Sequence, residues 1–188
     1  ELSSGTHQSA QTAAQTLGDF DVRVVDTRSV TMGQGLVALA AAEAAAAGAD
    51  ASEVARLVAD VAGRTHVYGA IDTLDHLQRG GRIGAARAML GSMLSIKPVI
   101  HVIDGVVAEE SKQRTRSRCL EYLAAKLRAA APFERLAVCD GAAPDLDKFL
   151  GLLEGIETSH RLITVDLGAV VGTHTGPGTI GACFELPA

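Results

Sequence analysis

The sequence is poor in aromatic residues, which make up 3% of its 188 residues, and it has no tryptophan. Apolar residues nevertheless account for 47% of the chain. A buried core must therefore consist mainly of alanine, valine, leucine and isoleucine, as expected where helices pack closely on a sheet. Because disordered chains are poor in these residues, the composition excludes a disordered protein.

Cysteine is scarce as well, with Cys119, Cys139 and Cys183 far apart and set among apolar residues. This odd number, without C-x-x-C or metal-ligand spacing, predicts buried free thiols in a reducing, cytoplasmic compartment. The sequence also lacks a run of about 18 apolar residues, the length needed to span a bilayer. Residues 36–47 come nearest but include Glu43. At most transient membrane contact is expected.

An excess of basic residues is also absent, since the net charge is −5 at pH 7. Nucleic-acid surfaces normally carry such an excess, so nucleic acid is not an expected partner. One local exception is a run of four cations within residues 112–118, namely Lys112, Arg114, Arg116 and Arg118. Such a run is most often a solvated face, and the alternative is a docking site for an acidic partner or a phosphate.

The order of the predicted elements is typical of the α/β class. Apolar spacing predicts helices over residues 6–17, with Ser4 as cap, and over 35–47, 50–64, 85–93, 114–130 and 145–154. Strands are predicted over residues 22–25, 66–72, 98–103, 106–110, 135–139, 161–166 and 180–185, with loops at 78–81 and 168–178. This alternation implies a mainly parallel sheet with helices on its faces. A turn at Asp104-Gly105 predicts a hairpin, and hence a mixed sheet in a later subdomain.

Three short stretches carry residues suited to binding an anion. Ser4, Gly5 and Thr6 precede or begin a helix, whose first N–H groups attract negative charge; an ordinary serine cap is the alternative. His174 lies in G-T-H-T-G-P-G, which either presents it to a carboxylate or phosphate or forms a tight turn. Arg82 follows two glycines and either points inward toward an anion or faces solvent.

Signatures of catalysis are lacking. The sequence has no G-x-S-x-G, no H-E-x-x-H, no phosphate loop and no dinucleotide fingerprint. Two alternatives remain beside a binding protein. One is a serine acyl hydrolase that uses Ser4 and His174, and the other is a phosphometabolite- or nucleotide-binding regulator that uses the glycine-rich loops.

Five motifs, in order, resemble the DegV family of bacterial fatty-acid-binding proteins. They are L-S-S-G-T-H-Q-S-A, V-V-D-T-R-S-V-T-M-G-Q-G, D-T-L-D-H-L-Q-R-G-G-R-I, L-S-I-K-P-V-I and V-G-T-H-T-G-P-G-T-I-G, and the similarity runs over residues 2–186. The resemblance implies a two-domain DegV-like α/β arrangement with a long-chain fatty acid in a buried apolar tunnel between the subdomains. Residues 1–65 would be the remainder of the N-terminal subdomain and residues 66–188 the C-terminal one.

The resemblance also implies a carrier rather than an enzyme, without a metal or a cofactor other than the bound acid. In family members with a kinase partner, the carboxylate is presented to a separate fatty-acid kinase that forms the acyl phosphate. The positions that match the carboxylate-binding motifs are Ser4, Gly5, Thr6, Arg82 and His174.

Family members normally begin earlier, with an α/β segment whose T-S-Q-P-like loop also contacts the carboxylate. A segment upstream of Glu1 is therefore expected. An aromatic residue often stands in the family where this chain has His7, so no role is carried over to His7. For docking of the kinase, the basic run offers Lys112, Arg114 and Arg116.

Overall fold

The computed structural model describes residues 4–89 and 96–188, and for Ser4 the backbone alone. Its α-helices are α1 (Ser4–Gln15), α2 (Met32–Ala46), α3 (Ala51–Arg64), α4 (Asp75–Arg79), α5 (Arg116–Ala130), α6 (Leu146–Leu152) and α7 (Ala169–Thr175). A short 3-10 helix spans Gly84–Met89. The strands are β1 (Thr65–Ala70), β2 (Lys97–Ile103), β3 (Val106–Gln113), β4 (Arg135–Gly141), β5 (Ile163–Asp166) and β6 (Thr179–Glu185).

The six strands form one mixed sheet in the order β3-β2-β1-β6-β4-β5. The predicted α/β class, the mixed sheet and the Asp104-Gly105 hairpin are confirmed. The expectation of mainly parallel pairing is wrong for this sheet, because in the described ranges β4–β5 is parallel and the other four strand pairs are antiparallel. Parallel neighbours need a long crossover. The short helix α7 instead returns the chain at one end of the sheet, so β6 enters antiparallel between β1 and β4.

Several predicted boundaries are corrected. Residues 22–25, predicted as a strand, have no regular structure, since an isolated apolar run needs a partner strand. The loop predicted over residues 168–178 contains α7, because Ala169-Val170-Val171 continues as a helix in spite of the glycines that follow. Helix α1 includes Ser4 rather than being capped by it. Of the helix predicted over 85–93, residues 90–93 lie outside the described residues.

Helix α3, predicted over residues 50–64, is confirmed, and its first turn is capped by two carboxylates. The Asp50 carboxylate accepts hydrogen bonds from the N–H groups of Ser52 (2.7 Å) and Glu53 (2.9 Å). The Glu53 carboxylate in turn accepts the Asp50 N–H at 2.9 Å, which completes a capping box.

In the described part of the chain, no helix is long and apolar enough to cross a membrane.

The two faces of the sheet are covered differently. One face carries α5 and α6 over the main core, which includes Leu120, Leu123, Phe133, Phe149 and Phe184. The other face carries α2 at one end, where Leu36 clusters with Val67, Cys139 and Cys183. Helices α4 and α7 contact each other at the opposite end of that face. The sheet between these two groups of helices forms the floor of a cavity.

Candidate functional site

A cavity of about 230 Å³ lies on the sheet face between α2 and the α4–α7 pair. Side chains alternate between the faces of a strand, so residues two apart on β1 and β6 point into it together. Its lining is mostly aliphatic and includes Val30, Val67, Ile71, Leu77, Ile100, Val102, Val107, Leu167, Val170 and Val171. Val170 is 80% exposed and marks the opening to solvent. The cavity can therefore receive an apolar ligand.

Two glycines shape the floor of this cavity. Gly69 of β1 and Gly181 of β6 are direct partners in the sheet and both line the cavity. A Cβ at Gly69 would lie 3.2 Å from Ile100 Cγ1, and one at Gly181 would lie 3.2 Å from Cys139 Cβ. Because neither strand has a side chain at this point, the floor is a trough, a shape suited to an extended hydrocarbon chain.

Three polar residues from distant parts of the chain lie on the same cavity. Thr6 comes from α1, Arg82 from the turn after α4 and His174 from the last turn of α7. Thr6 and Arg82 are exposed, whereas His174 is half-buried. Gly5 is exposed with open space around it, and the side chain of Ser4 lies outside the described residues. The structure thus brings together three of the five residues singled out from the sequence.

Gly80 holds two of these residues in place. Arg82 Nη1 donates a hydrogen bond to the Gly80 carbonyl at 3.1 Å. The His174 ring packs on Gly80 so closely that a Cβ there would lie 2.0 Å from His174 Nδ1. That nitrogen is buried, and within the described residues it has no hydrogen-bond partner. Among the described residues, none gives His174 Nδ1 the carboxylate contact that orients the histidine of a serine hydrolase.

The contact between α4 and α7 is reciprocal. The His76 ring lies over Gly176, where a Cβ would be 2.5 Å from His76 Cδ2. Gly176 has φ 83° and ψ 169°, a conformation that only glycine adopts readily. The Gly176 N–H bonds the Gly172 carbonyl and the Gly178 N–H bonds the Gly141 carbonyl, both at 2.8 Å. The glycines of G-T-H-T-G-P-G therefore end α7 and seat it on α4, and these two N–H groups are not available to an anion.

Replacing Gly80 with alanine tests this arrangement. The backbone of Gly80, with φ −79°, accepts alanine without strain, but the new methyl group must displace the His174 ring. For a ligand whose anionic group bonds His174, Gly80→Ala is expected to weaken binding roughly tenfold or more, the value of one charge-assisted hydrogen bond. Isothermal titration with a carboxylate ligand measures the effect. Gly151→Ala, at a glycine with open space around it, is the matched control and should bind normally; equal affinities for both variants would contradict the role of Gly80.

The cations of the basic run lie in different environments, since Lys112, Arg114 and Arg118 are exposed and Arg116 is partly buried. Arg116 donates hydrogen bonds to Asp145 from Nε and Nη2, both at 3.0 Å, and its Nη1 lies 3.7 Å from Asp72. The same bonds hold the pKa of Asp145 below its usual range. Lys112 pairs with Glu109 at 3.4 Å. Arg116 is thus bound within the chain, whereas Arg114 is exposed.

Sequence reasoning missed Thr31 and Cys183, which also line the cavity. Thr31 caps α2 with an unusual backbone, at φ 51°, and its hydroxyl accepts the Met32 N–H. The V-T-M-G-Q-G stretch was a visible signal for a functional turn. The aliphatic lining carried no such signal, because it becomes a surface only through strand register.

In the described ranges, no group of three or more His, Cys, Asp or Glu side chains could hold a metal ion.

Comparison with known proteins identifies relatives along almost the whole chain. A family model described as an uncharacterised protein family, DegV, matches residues 1–186. A DegV domain-containing protein of Streptomyces coelicolor is 41% identical, over 95% of this chain and 64% of its own length. Protein DegV of Bacillus subtilis is 32% identical, over 96% of this chain and 66% of its own length. The chain therefore spans about two thirds of these curated relatives.

Solved structures agree with the fold. A DegV family protein from Corynebacterium glutamicum has a TM-score of 0.86 at 27% identity, covering 97% of this chain and 70% of its own. A DegV family protein from Thermus thermophilus, described by its fatty-acid binding, has a TM-score of 0.84 at 32% identity. The match covers 97% of this chain and 67% of that protein. DegV from Bacillus subtilis, described as a fatty acid binding protein, has a TM-score of 0.79 at 30% identity. The match covers 98% of this chain and 67% of that protein.

Proposed function

The chain belongs to the DegV family, and we propose that it binds a long-chain fatty acid in the cavity on the sheet face, with the carboxylate at Thr6, Arg82 and His174. The observation that carries this proposal is an aliphatic trough that ends at a rim with a cation, a hydroxyl and an imidazole. Relatives from Thermus thermophilus and Bacillus subtilis that are described as binding fatty acids support it.

The tail and the carboxylate of a bound acid contribute differently to its affinity. Burial of each methylene contributes about 0.8 kcal/mol, so a long tail contributes on the order of 10 kcal/mol before the cost of association. A charge-assisted hydrogen bond contributes roughly 1.5–3 kcal/mol. The tail thus dominates affinity, whereas Arg82 and His174 set its direction and keep the carboxylate paired.

The proposed site extends beyond the described residues. The first α1 residues, Ser4 and Gly5, would add a hydroxyl and N–H groups beside Thr6 at the helix N-terminus. We further propose residues 1–65 and 66–188 as parts of two subdomains with the acid between them. Thr6 and Thr31 would come from the first part, and the sheet, Arg82 and His174 from the second.

We propose that the protein is a cytoplasmic carrier that presents its ligand to a fatty-acid kinase, rather than an enzyme. Thr6 and Arg82 are exposed, so a carboxylate held there would be within reach of a second protein. The lack of a carboxylate partner for His174 Nδ1 in the described ranges favours binding over hydrolysis. The thiols of Cys119, Cys139 and Cys183 are all free, in keeping with a reducing compartment.

Native mass spectrometry of the whole protein tests fatty-acid binding. The purified protein should retain one acyl mass per chain, and Arg82→Ala and His174→Ala should each weaken binding of added acid roughly tenfold or more. Arg87→Ala, in the neighbouring 3-10 helix and exposed, is the control that should bind normally. A protein that neither retains nor takes up an acid would contradict the proposal. A thermal shift with nucleotides alone would then favour the phosphometabolite-binding regulator.

For the kinase, the internal ion pairs of Lys112 and Arg116 leave Arg114 as the strongest docking candidate. Arg114→Glu is expected to lower kinase-dependent phosphorylation of the bound acid without changing its retention, since charge reversal at an interface mainly slows association. Arg56→Glu, an exposed cation on α3, is the control. Unchanged phosphorylation with Arg114→Glu would remove this docking surface.

A further inference from the structure

A row of valines crosses the sheet beside the glycine trough. Val107, Val102 and Val67 are direct partners across β3, β2 and β1, and all three line the cavity. Val67 lies two residues before Gly69 on β1, so both positions are on the same face of the sheet. The floor of the cavity therefore rises from the glycines to a step made of valine side chains.

A second cavity, of about 330 Å³, lies beyond this step. Val67 and Val102 line both cavities. Thr65, two residues before Val67 and on the same face of β1, lines the second cavity. The Val67–Val102 pair is therefore the partition between the first cavity, which holds the glycine trough, and the second.

The two cavities differ in their chemistry. The first is lined mostly by aliphatic side chains, whereas the lining of the second includes the charged and imidazole groups of Asp26, Arg28, His66, His101 and Asp104. Arg28 Nη1 lies 3.4 Å from Asp104 Oδ1, and both side chains are more than half exposed, so the second cavity is open to water. A methylene buried in the first cavity raises affinity roughly fourfold. One that lies among charged groups and water gains little.

The partition lies away from the polar rim of the first cavity. Arg82 and His174 belong to the α4–α7 end of the sheet face, where β1 ends and β6 begins. From Ile71, which follows β1 at that end, to Val67 the chain advances four residues, or about 13 Å at the usual rise per residue. An acid that is held by its carboxylate at His174 therefore points its methyl end toward the partition.

The two valines of the partition are held differently. A Cβ added at Gly33 of α2 would overlap Val67 Cγ2, so Val67 is fixed between the sheet and the backbone of the helix. Val67 is buried, whereas Val102 is partly buried and packs at the margin of the same cluster. The size of the side chain at Val102 therefore sets the width of the passage between the two cavities.

We propose that Val102, together with Val67, limits the chain length of the bound fatty acid. This inference rests on the proposed fatty-acid binding and names the residues that select among acids. An acid whose methyl end stops at the partition buries its whole tail in the first cavity. A longer acid has to extend past Val102 into the second cavity, where its last methylenes meet charged groups and water.

Isothermal titration of the whole protein with saturated acids from dodecanoic to docosanoic acid tests this proposal. Affinity should rise roughly fourfold with each added methylene until the methyl end reaches the partition, and should then level off or fall. Val102→Ala removes two methyl groups and should move this break to acids roughly two carbons longer, whereas Val102→Phe should move it to shorter acids. Val99→Ala is the matched control, because it removes the same atoms from the opposite face of β2, in the main core. Its break should not move.

The outcomes separate this inference from the proposed function, and thermal unfolding verifies that each variant is folded. The same break in the wild type, Val102→Ala and Val102→Phe overturns the chain-length limit and leaves fatty-acid binding intact. An affinity that rises evenly up to docosanoic acid, or an equal shift of the break in Val99→Ala, also overturns the limit. A wild-type protein that binds no acid of the series fails both proposals.

Discussion

Gly69→Leu is expected to weaken fatty-acid binding at least roughly a hundredfold while the protein remains folded. The new side chain would project from the cavity floor into the trough, because Gly69 lies on the same face as Val67 and Ile100. It would displace about four methylenes of the ligand, which at 0.8 kcal/mol each corresponds to about 3 kcal/mol. The nearest atom to the added Cβ is Ile100 Cγ1 at 3.2 Å, a side chain that can shift by a few tenths of an ångström.

Isothermal titration with a saturated acid measures this loss, and thermal unfolding verifies the fold. Gly151→Leu adds the same side chain at an exposed glycine of α6 that has open space around it, so it should bind as the wild type does. Gly69→Ala should give an intermediate affinity. If Gly69→Leu bound the acid with wild-type affinity, the acyl chain would have to lie outside this trough.

Glu185→Ala is expected to lower the free energy of unfolding by about 3–5 kcal/mol, the usual cost of leaving a buried charge without its partner. Glu185 is 2% exposed and accepts hydrogen bonds from Arg135 Nη1 at 2.7 Å and Arg64 Nη1 at 3.2 Å. Arg135 itself is 7% exposed. Because Arg64 ends α3 and Arg135 begins β4, the same carboxylate joins a helix to the sheet.

Urea denaturation measures this loss as a lower midpoint with an unchanged slope. Glu43→Ala is the matched control, since its side chain pairs with the same Arg135 at 2.5 Å but is 56% exposed. That change should cost no more than about 1 kcal/mol. Replacing Glu185 and Arg135 together by leucine should recover most of the loss, because both fully buried charges are then gone and Arg64 keeps its ion pair with Asp60 at 2.9 Å. A cost below 1 kcal/mol for Glu185→Ala would show that Arg135 finds another partner or solvent.

Residues close together in the sequence determined the features that the sequence predicted correctly. Helix α3 follows from apolar spacing and from Asp50 and Glu53, which cap it within one turn. The β2–β3 hairpin follows from Asp104-Gly105, where both residues have positive φ. Thr6, Arg82 and His174 could be singled out because each lies in a short motif of unusual composition.

Tertiary structure alone decided which of these residues meet and what surrounds them. Strand direction and order depend on pairings between distant segments, so the alternation of helices and strands did not reveal that β6 enters between β1 and β4. The trough at Gly69 and Gly181 and the clustering of Cys139 with Cys183 follow from that register. The packing of His174 on Gly80 follows from the contact between α4 and α7. The sequence by itself determined the local elements and the chemistry they carry. The cavity required the sheet, because its surface is assembled from residues that only long-range packing brings together.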